Sequence, residues 1–179
     1  AVQGPEARAL LAKVSPEAAE VAHFGVGEFT FEGVDCLVGG TGYTGEDGVE
    51  LFVPAEVAPA MFEALLATGL VPAGLGARDT LRLEMGYPLH GHELGPGITP
   101  LQAGLGWVVN WDKPNFRGRD ALSIEHRKGP FRSIRGILLD GRQVPRAGYD
   151  VLLRGTPEDE LGGEIIGEVT RGRGEVIFV

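Results

Sequence analysis

Residues 39–48 read GGTGYTGEDG, with five glycines in ten positions and a G-x-G-x-x-G at Gly40, Gly42 and Gly45. That spacing can bind a dinucleotide, because a tight glycine turn brings backbone N–H groups and a helix N-terminus against a pyrophosphate. Its surroundings here speak against that chemistry. The segment that follows alternates Val49, Leu51 and Val53 with Glu50 and Phe52, which is the period of a strand and not of a helix. Helical periodicity begins only near Glu56, and Glu46 and Asp47 stand where a phosphate would have to sit. A kinase-type glycine loop fails as well: Asp47 occupies the place of the required Val, and neither a lysine strand nor an H-R-D loop follows. The reading left is a hairpin whose glycines supply unusual backbone angles and permit close approach. Such a hairpin aims Tyr43 and Glu50 from its flanks. They are either an aromatic ring and a carboxylate presented to a ligand, or a core-edge aromatic and a solvated strand residue.

Other residues with chemical potential are weaker. His90-x-His92 with Glu93 offers metal-binding types, yet no third ligand is suitably spaced and the segment is rich in Gly and Pro, so no metal site is expected. Cys36 is the sole cysteine and lies in an apolar run without a neighbouring His, which predicts inert burial. Arg117, Arg119, Arg127, Lys128 and Arg132 form a modest basic cluster, either a solvated face or a docking surface for an acidic partner. Hydrolase elbows, Walker loops and H-E-x-x-H motifs are absent.

Two helix starts open the chain: Gly4-Pro5-Glu6, and Ser15-Pro16-Glu17, where Ser is a cap and Pro takes the first helical position. Strands are expected over 24–31, 34–38 and 49–53, and a helix over 56–68 closed by Gly69. A second helix over 75–85 places Ala77, Leu81 and Met85 on one face, with Arg78 and Arg82 on a neighbouring one. Residues 86–100 read as loop, 104–111 as an apolar strand and 119–128 as a short helix. Beyond about residue 130 the texture changes to short strands (134–139, 149–153, 164–170 and 175–179) between Gly, Pro and Asp turns. The chain is thus expected to divide into an α+β region, 1–129, and an antiparallel β region, 130–179.

The composition narrows the function classes. Sixteen basic against 25 acidic residues give a formal charge of −9. That balance argues against nucleic acid and anionic membrane surfaces as partners. No apolar run approaches the ~20 residues of a spanning helix, and no signal-peptide pattern is visible. A reducing, cytoplasmic setting is expected from the lone cysteine.

Four longer motifs occur in order: GYTGEDGVE (42–50), GLGARDTLRLEMGYPLHGHEL (74–94), TPLQAGLGW (99–107) and FRGRDAL (116–122). With QGPEA near the start and IGEVT at 166–170, they resemble the glycine cleavage T-proteins, the tetrahydrofolate-dependent aminomethyltransferase family. The resemblance implies a ferredoxin-like folate-binding region followed by a small, incomplete antiparallel β-barrel. It implies transfer of a methylene group from the aminomethyl-lipoyl arm of an H-protein to tetrahydrofolate, with release of ammonia. It places Tyr43, Glu50 and Arg78 at the folate; Tyr87, nine residues on from Arg78, is either a further wall of that pocket or a helix-end packing residue. A carboxylate can accept two adjacent pterin N–H groups, a tyrosine can wall a flat heterocycle, and an arginine can meet the ligand's oxygens.

Departures from the family pattern shape the expectation. The family's catalytic Asp belongs to a region upstream of anything matched here, so no residue of this chain is assigned to catalysis. Arg171-Gly172-Arg173-Gly174 follows Thr170 where the family continues otherwise, and Gln102 stands where the family often has Glu, at a position read as structural. The chain is therefore expected to be a fragment that does not complete the reaction by itself. Two alternatives remain: the folate domain of dimethylglycine or sarcosine dehydrogenases, which shares these motifs, and a non-catalytic folate-binding relative, whose Lys-Gly-Cys-Tyr signature is absent here.

Overall fold

The computed structural model describes residues 1–138, 146–153, 164–173 and 176–178. They fall into two units, Ala1–Met85 and Gly86–Val179. The division drawn from sequence at 129/130 falls inside the second unit.

In the first unit, three alternating segments form an antiparallel meander: β2 (Val26–Phe31), β3 (Val34–Gly39) and β4 (Gly48–Phe52). A short strand, β1 (Val2–Gln3), adds to the other side of β4, giving the order β1-β4-β3-β2. Phe29 faces Cys36, Val38 faces Leu51, Leu37 faces Phe52 and Val2 faces Val49 across the ladders. Side chains alternate along each strand, so Phe29, Cys36, Val38 and Val49 share one buried face. Leu37 and Phe52 share the other and are 47% and 61% exposed.

Helices α1 (Ala7–Leu11), α2 (Pro16–Ala19) and α3 (Ala58–Ala67) supply the core partners of the buried face. Ala7, Leu11, Ala18, Ala19 and Met61 join the strand residues in one cluster. Ser15 starts α2 as its sequence predicts: its Oγ accepts from the Ala18 N–H at 3.2 Å. Cys36 lies within the core, 3% exposed, in keeping with an inert thiol.

α4 (Leu75–Glu84) follows the sequence in extent and departs from it in facing. The expected apolar face is not the buried one: Leu81 and Met85 are 38% and 49% exposed, while Arg82 and Leu83 are fully buried. Burial of the Arg82 charge is compensated by Asp79, whose Oδ1 accepts from Nε at 3.1 Å and from Nη2 at 3.0 Å.

The second unit opens on the loop expected over 86–100. The strand expected over 104–111 is replaced by a 3-10 turn at Gly106–Val108. Its backbone groups are used locally: Leu105 N–H donates to Pro100 O at 2.7 Å and Val108 N–H to Leu105 O at 3.0 Å, and Trp107 is 81% exposed. Apolar residues alone cannot make a strand once the ladder groups are consumed within the segment. α5 (Arg119–Lys128) forms as predicted. β5 (Gly136–Leu138), β8 (Arg171–Arg173) and β9 (Val176–Phe178) make an antiparallel sheet of order β5-β9-β8. β6 (Asp150–Leu153) pairs with β7 (Glu164–Glu168). Leu139, Gly174, Glu175 and Val179 lie outside the described residues.

Candidate functional site

The glycine-rich stretch is the connection of an antiparallel hairpin, residues 40–47 between β3 and β4, with Gly39 opposite Glu50. Gly40, Gly42, Gly45 and Gly48 each lie where an added Cβ would strike a neighbouring group. At Gly48, φ is +153° and an added Cβ would strike the Val2 carbonyl, so the β1–β4 approach requires glycine. At Gly42 an added Cβ would strike the carboxamide of Gln3.

That carboxamide organises the turn. Gln3 Nε2 donates to Thr41 O at 3.1 Å, while Oε1 accepts from Tyr43 N–H at 3.2 Å and from Thr44 Oγ1 at 2.8 Å. Thr41 in turn donates through Oγ1 to Glu50 Oε2 at 2.6 Å. Glu50 Oε1 makes no hydrogen bond among the described residues. α4 brings the third group: the Arg78 guanidinium carbon lies 4.6 Å from the centre of the Tyr43 ring, within cation–π range. Leu81 and Met85, on the same side of the helix as Arg78, meet the cavity and the glycine turn respectively. An added Cβ at Gly45 would collide with the Met85 side chain.

Tyr43, Glu50 and Arg78 line one cavity of about 510 Å³, with Thr44, Met61 and Leu65 among its other walls. A half-buried carboxylate, an aromatic ring under a guanidinium and an apolar wall thus converge in a space of ligand size. Tyr87 belongs to the second unit, where it is half-buried.

Gln3 is not singled out by the sequence, and neither is Arg8, which also braces the turn. Arg8, on α1, donates through Nε to both Asp47 oxygens at 2.9 and 2.8 Å, and through Nη1 to Ala19 O at 2.8 Å and Val21 O at 2.7 Å. Its hydrogen bond, joined by one from the Gly48 N–H, holds the Asp47 carboxyl below the ordinary aspartate range against some desolvation. Neither Gln3 nor Arg8 carries a periodic signal. The only hint is that Gln3 opens the QGPEA motif.

The remaining sequence candidates have local explanations. Glu93 is 2% exposed and accepts from Leu89 N–H and Thr170 Oγ1, both at 3.0 Å. Among the described residues no group of three metal-capable side chains is assembled. Gln102 is buried, and its Oε1 accepts from Thr99 N–H at 3.3 Å and Arg132 Nε at 3.2 Å, the structural use read from sequence. Arg132 is tied by this bond and by Nη2 donating to Gly97 O at 2.6 Å, and it stays exposed, as do Arg117, Arg127 and Lys128 of the same basic cluster. No helix among the described residues is long and apolar enough to cross a membrane.

Comparison with known proteins places these features in context. Residues 1–113 match the family described as GCVT N-terminal domain. An aminomethyltransferase of Mycobacterium avium is 50% identical over 88% of this chain and 44% of its own length. One of Caldanaerobacter subterraneus is 45% identical over 96% of this chain and 46% of its own. The crystal structure of glycine cleavage system aminomethyltransferase T from Bartonella henselae superposes with a TM-score of 0.83 at 37% identity, covering 98% of this chain and 49% of that one. The chain spans about half the length of the relatives it matches.

Proposed function

This chain belongs to the glycine cleavage T-protein family, and on that premise we propose that it carries the folate-binding face of an aminomethyltransferase. The reaction moves a methylene group from the aminomethyl-lipoyl arm of H-protein to tetrahydrofolate, with release of ammonia. Tetrahydrofolate supplies the nitrogens that take up the one-carbon unit. The residues of this chain bind and orient it. Glu50, with Oε1 available and Oε2 steadied by Thr41, accepts from adjacent N–H groups of the pterin edge. Tyr43 walls the ring, and Arg78 meets the ligand's oxygens or its anionic tail. Tyr87, nine residues on from Arg78, is a further candidate for the pocket wall. No residue here is assigned to the acid–base step, so the role of this chain is binding.

The observation that carries the reading is the convergence of Tyr43, Glu50 and Arg78 on one cavity, with Arg78 over the Tyr43 ring at 4.6 Å. The wider fold proposed with it is a ferredoxin-like folate region and a small antiparallel barrel, supported by the antiparallel pairing in both units. A cytoplasmic setting belongs to the same proposal, supported by a lone, buried cysteine. Calorimetric titration of the chain with 5-formyltetrahydrofolate, a stable mimic of the reduced ligand, tests the reading. Saturable binding that disappears in Tyr43→Ala and Arg78→Ala supports it. Absence of binding to folded wild-type chain refutes self-sufficient binding by this face.

A further inference from the structure

We infer that Gln3 is the positioning residue of this site: one carboxamide sets both the Tyr43–Arg78 stack and the Glu50 carboxylate. The inference rests on the folate reading for its ligand and on geometry for its mechanism. Three bonds agree on a single orientation of the amide. Nε2 must face a carbonyl and finds Thr41 O, while Oε1 must face donors and finds Tyr43 N–H and Thr44 Oγ1. Rotating the amide by half a turn would break the bonds to the Thr41 carbonyl and the Tyr43 N–H, neither of which can change role, while the Thr44 hydroxyl could re-form its bond as an acceptor. The two residues so held lead directly into the site. Thr41 donates to Glu50 at 2.6 Å, and the Tyr43 ring lies beneath the Arg78 guanidinium. Gln3 bonds to neither Arg78 nor Glu50; its bonds reach them through the turn, and its side chain also borders the same cavity.

Gly42 makes the inference unusually accessible to test. It is absent from the residues with positive φ, so alanine is conformationally permitted there. The groups an added methyl would strike are the Gln3 Nε2, Oε1 and Cδ atoms, the mobile end of a long side chain. Gly42→Ala therefore expels the carboxamide without straining the backbone, and should reproduce the loss of Gln3.

The experiment is a double-mutant cycle of Gln3→Met, which keeps the length of the side chain and removes its hydrogen bonds, with Gly42→Ala. Binding of 5-formyltetrahydrofolate is measured by calorimetry, and backbone amide exchange by NMR. Each single variant is expected to weaken binding about tenfold, and the double variant no more than either alone. The Tyr43 amide should lose protection in every variant while those of Val38 and Val49 keep theirs. Additive losses in binding would overturn the inference, as would unchanged Tyr43 exchange. Uniformly accelerated exchange would also overturn it, since that marks a merely structural residue. If wild-type chain binds no folate, the functional reading falls by itself. The Tyr43 exchange pattern then still decides whether Gln3 positions the turn. Should Gln3→Met not fold, Thr44→Val removes one of the three bonds and is expected to lower Tyr43 protection partially.

Discussion

At the scale of single residues, the site depends on side chains whose partners are already chosen. Glu50 offers a ligand one oxygen without a described protein partner and a second anchored by Thr41. Its replacement by Ala is expected to weaken reduced-folate binding by about 1.5–3 kcal/mol, the usual worth of hydrogen bonds to a charged group. Titration calorimetry reads this directly. Glu50→Ala should leave the melting temperature nearly unchanged, because the residue is only half-buried. Unchanged affinity would return Glu50 to the role of a solvated strand residue. Tyr43 and Glu50 could be singled out from sequence only with the help of longer motifs, since a polar position on a strand often means no more than contact with water. Gln3 and Arg8 were not legible as site residues. An amide or a guanidinium bonded to a turn 38 or 39 positions away leaves no period in the sequence.

Elements with a strong local signal were read well. Alternation in Val49–Val53, the Ser15-Pro16-Glu17 cap and the helix over 119–128 each state their structure within a few residues. The misreadings occurred where tertiary circumstance decides. The apolar run at 104–111 closes on itself, α4 buries a paired arginine instead of its apolar stripe, and β8 is a strand of sequence Arg-Gly-Arg without any hydrophobic alternation. The bracing of α1 to the glycine turn has a pH signature. The folded state lowers the Asp47 pKa, so this link contributes fully above the unfolded value, about pH 4, and is lost as pH falls through the lower folded value. Thermal melts of wild type and Asp47→Asn should therefore differ by a constant amount at neutral pH and converge below about pH 4. Both groups of the pair reach solvent, so added salt should shrink the difference. Convergence on raising the pH instead would contradict the assignment.

For the molecule as a whole, the chain is expected to bind reduced folate without completing the transfer. Supplied with aminomethylated H-protein and tetrahydrofolate, it should yield no methylenetetrahydrofolate above the uncatalysed background. Multiple turnovers would place the acid–base group within these residues. The outer face of the first sheet, with Leu37 and Phe52 exposed, adds an expectation for handling: Phe52→Lys should reduce concentration-dependent association in sedimentation, leaving ligand affinity within twofold. The attachment of β1 bears on something else, the order in which the fold comes apart. β2, β3 and β4 are closed by the connections 32–33 and 40–47, whereas Val2 reaches across the chain to Val49 and is held by only two registered pairs. The entropy of closing that long loop thus falls on the strand that carries Gln3. Under mild denaturant β1 should fray while the meander stays paired, so competence for the ligand is lost well before the sheet melts. Ligand, by tightening the turn, should draw the strand back. Ordering of the first three residues would then report occupancy of a cavity formed largely by residues far downstream.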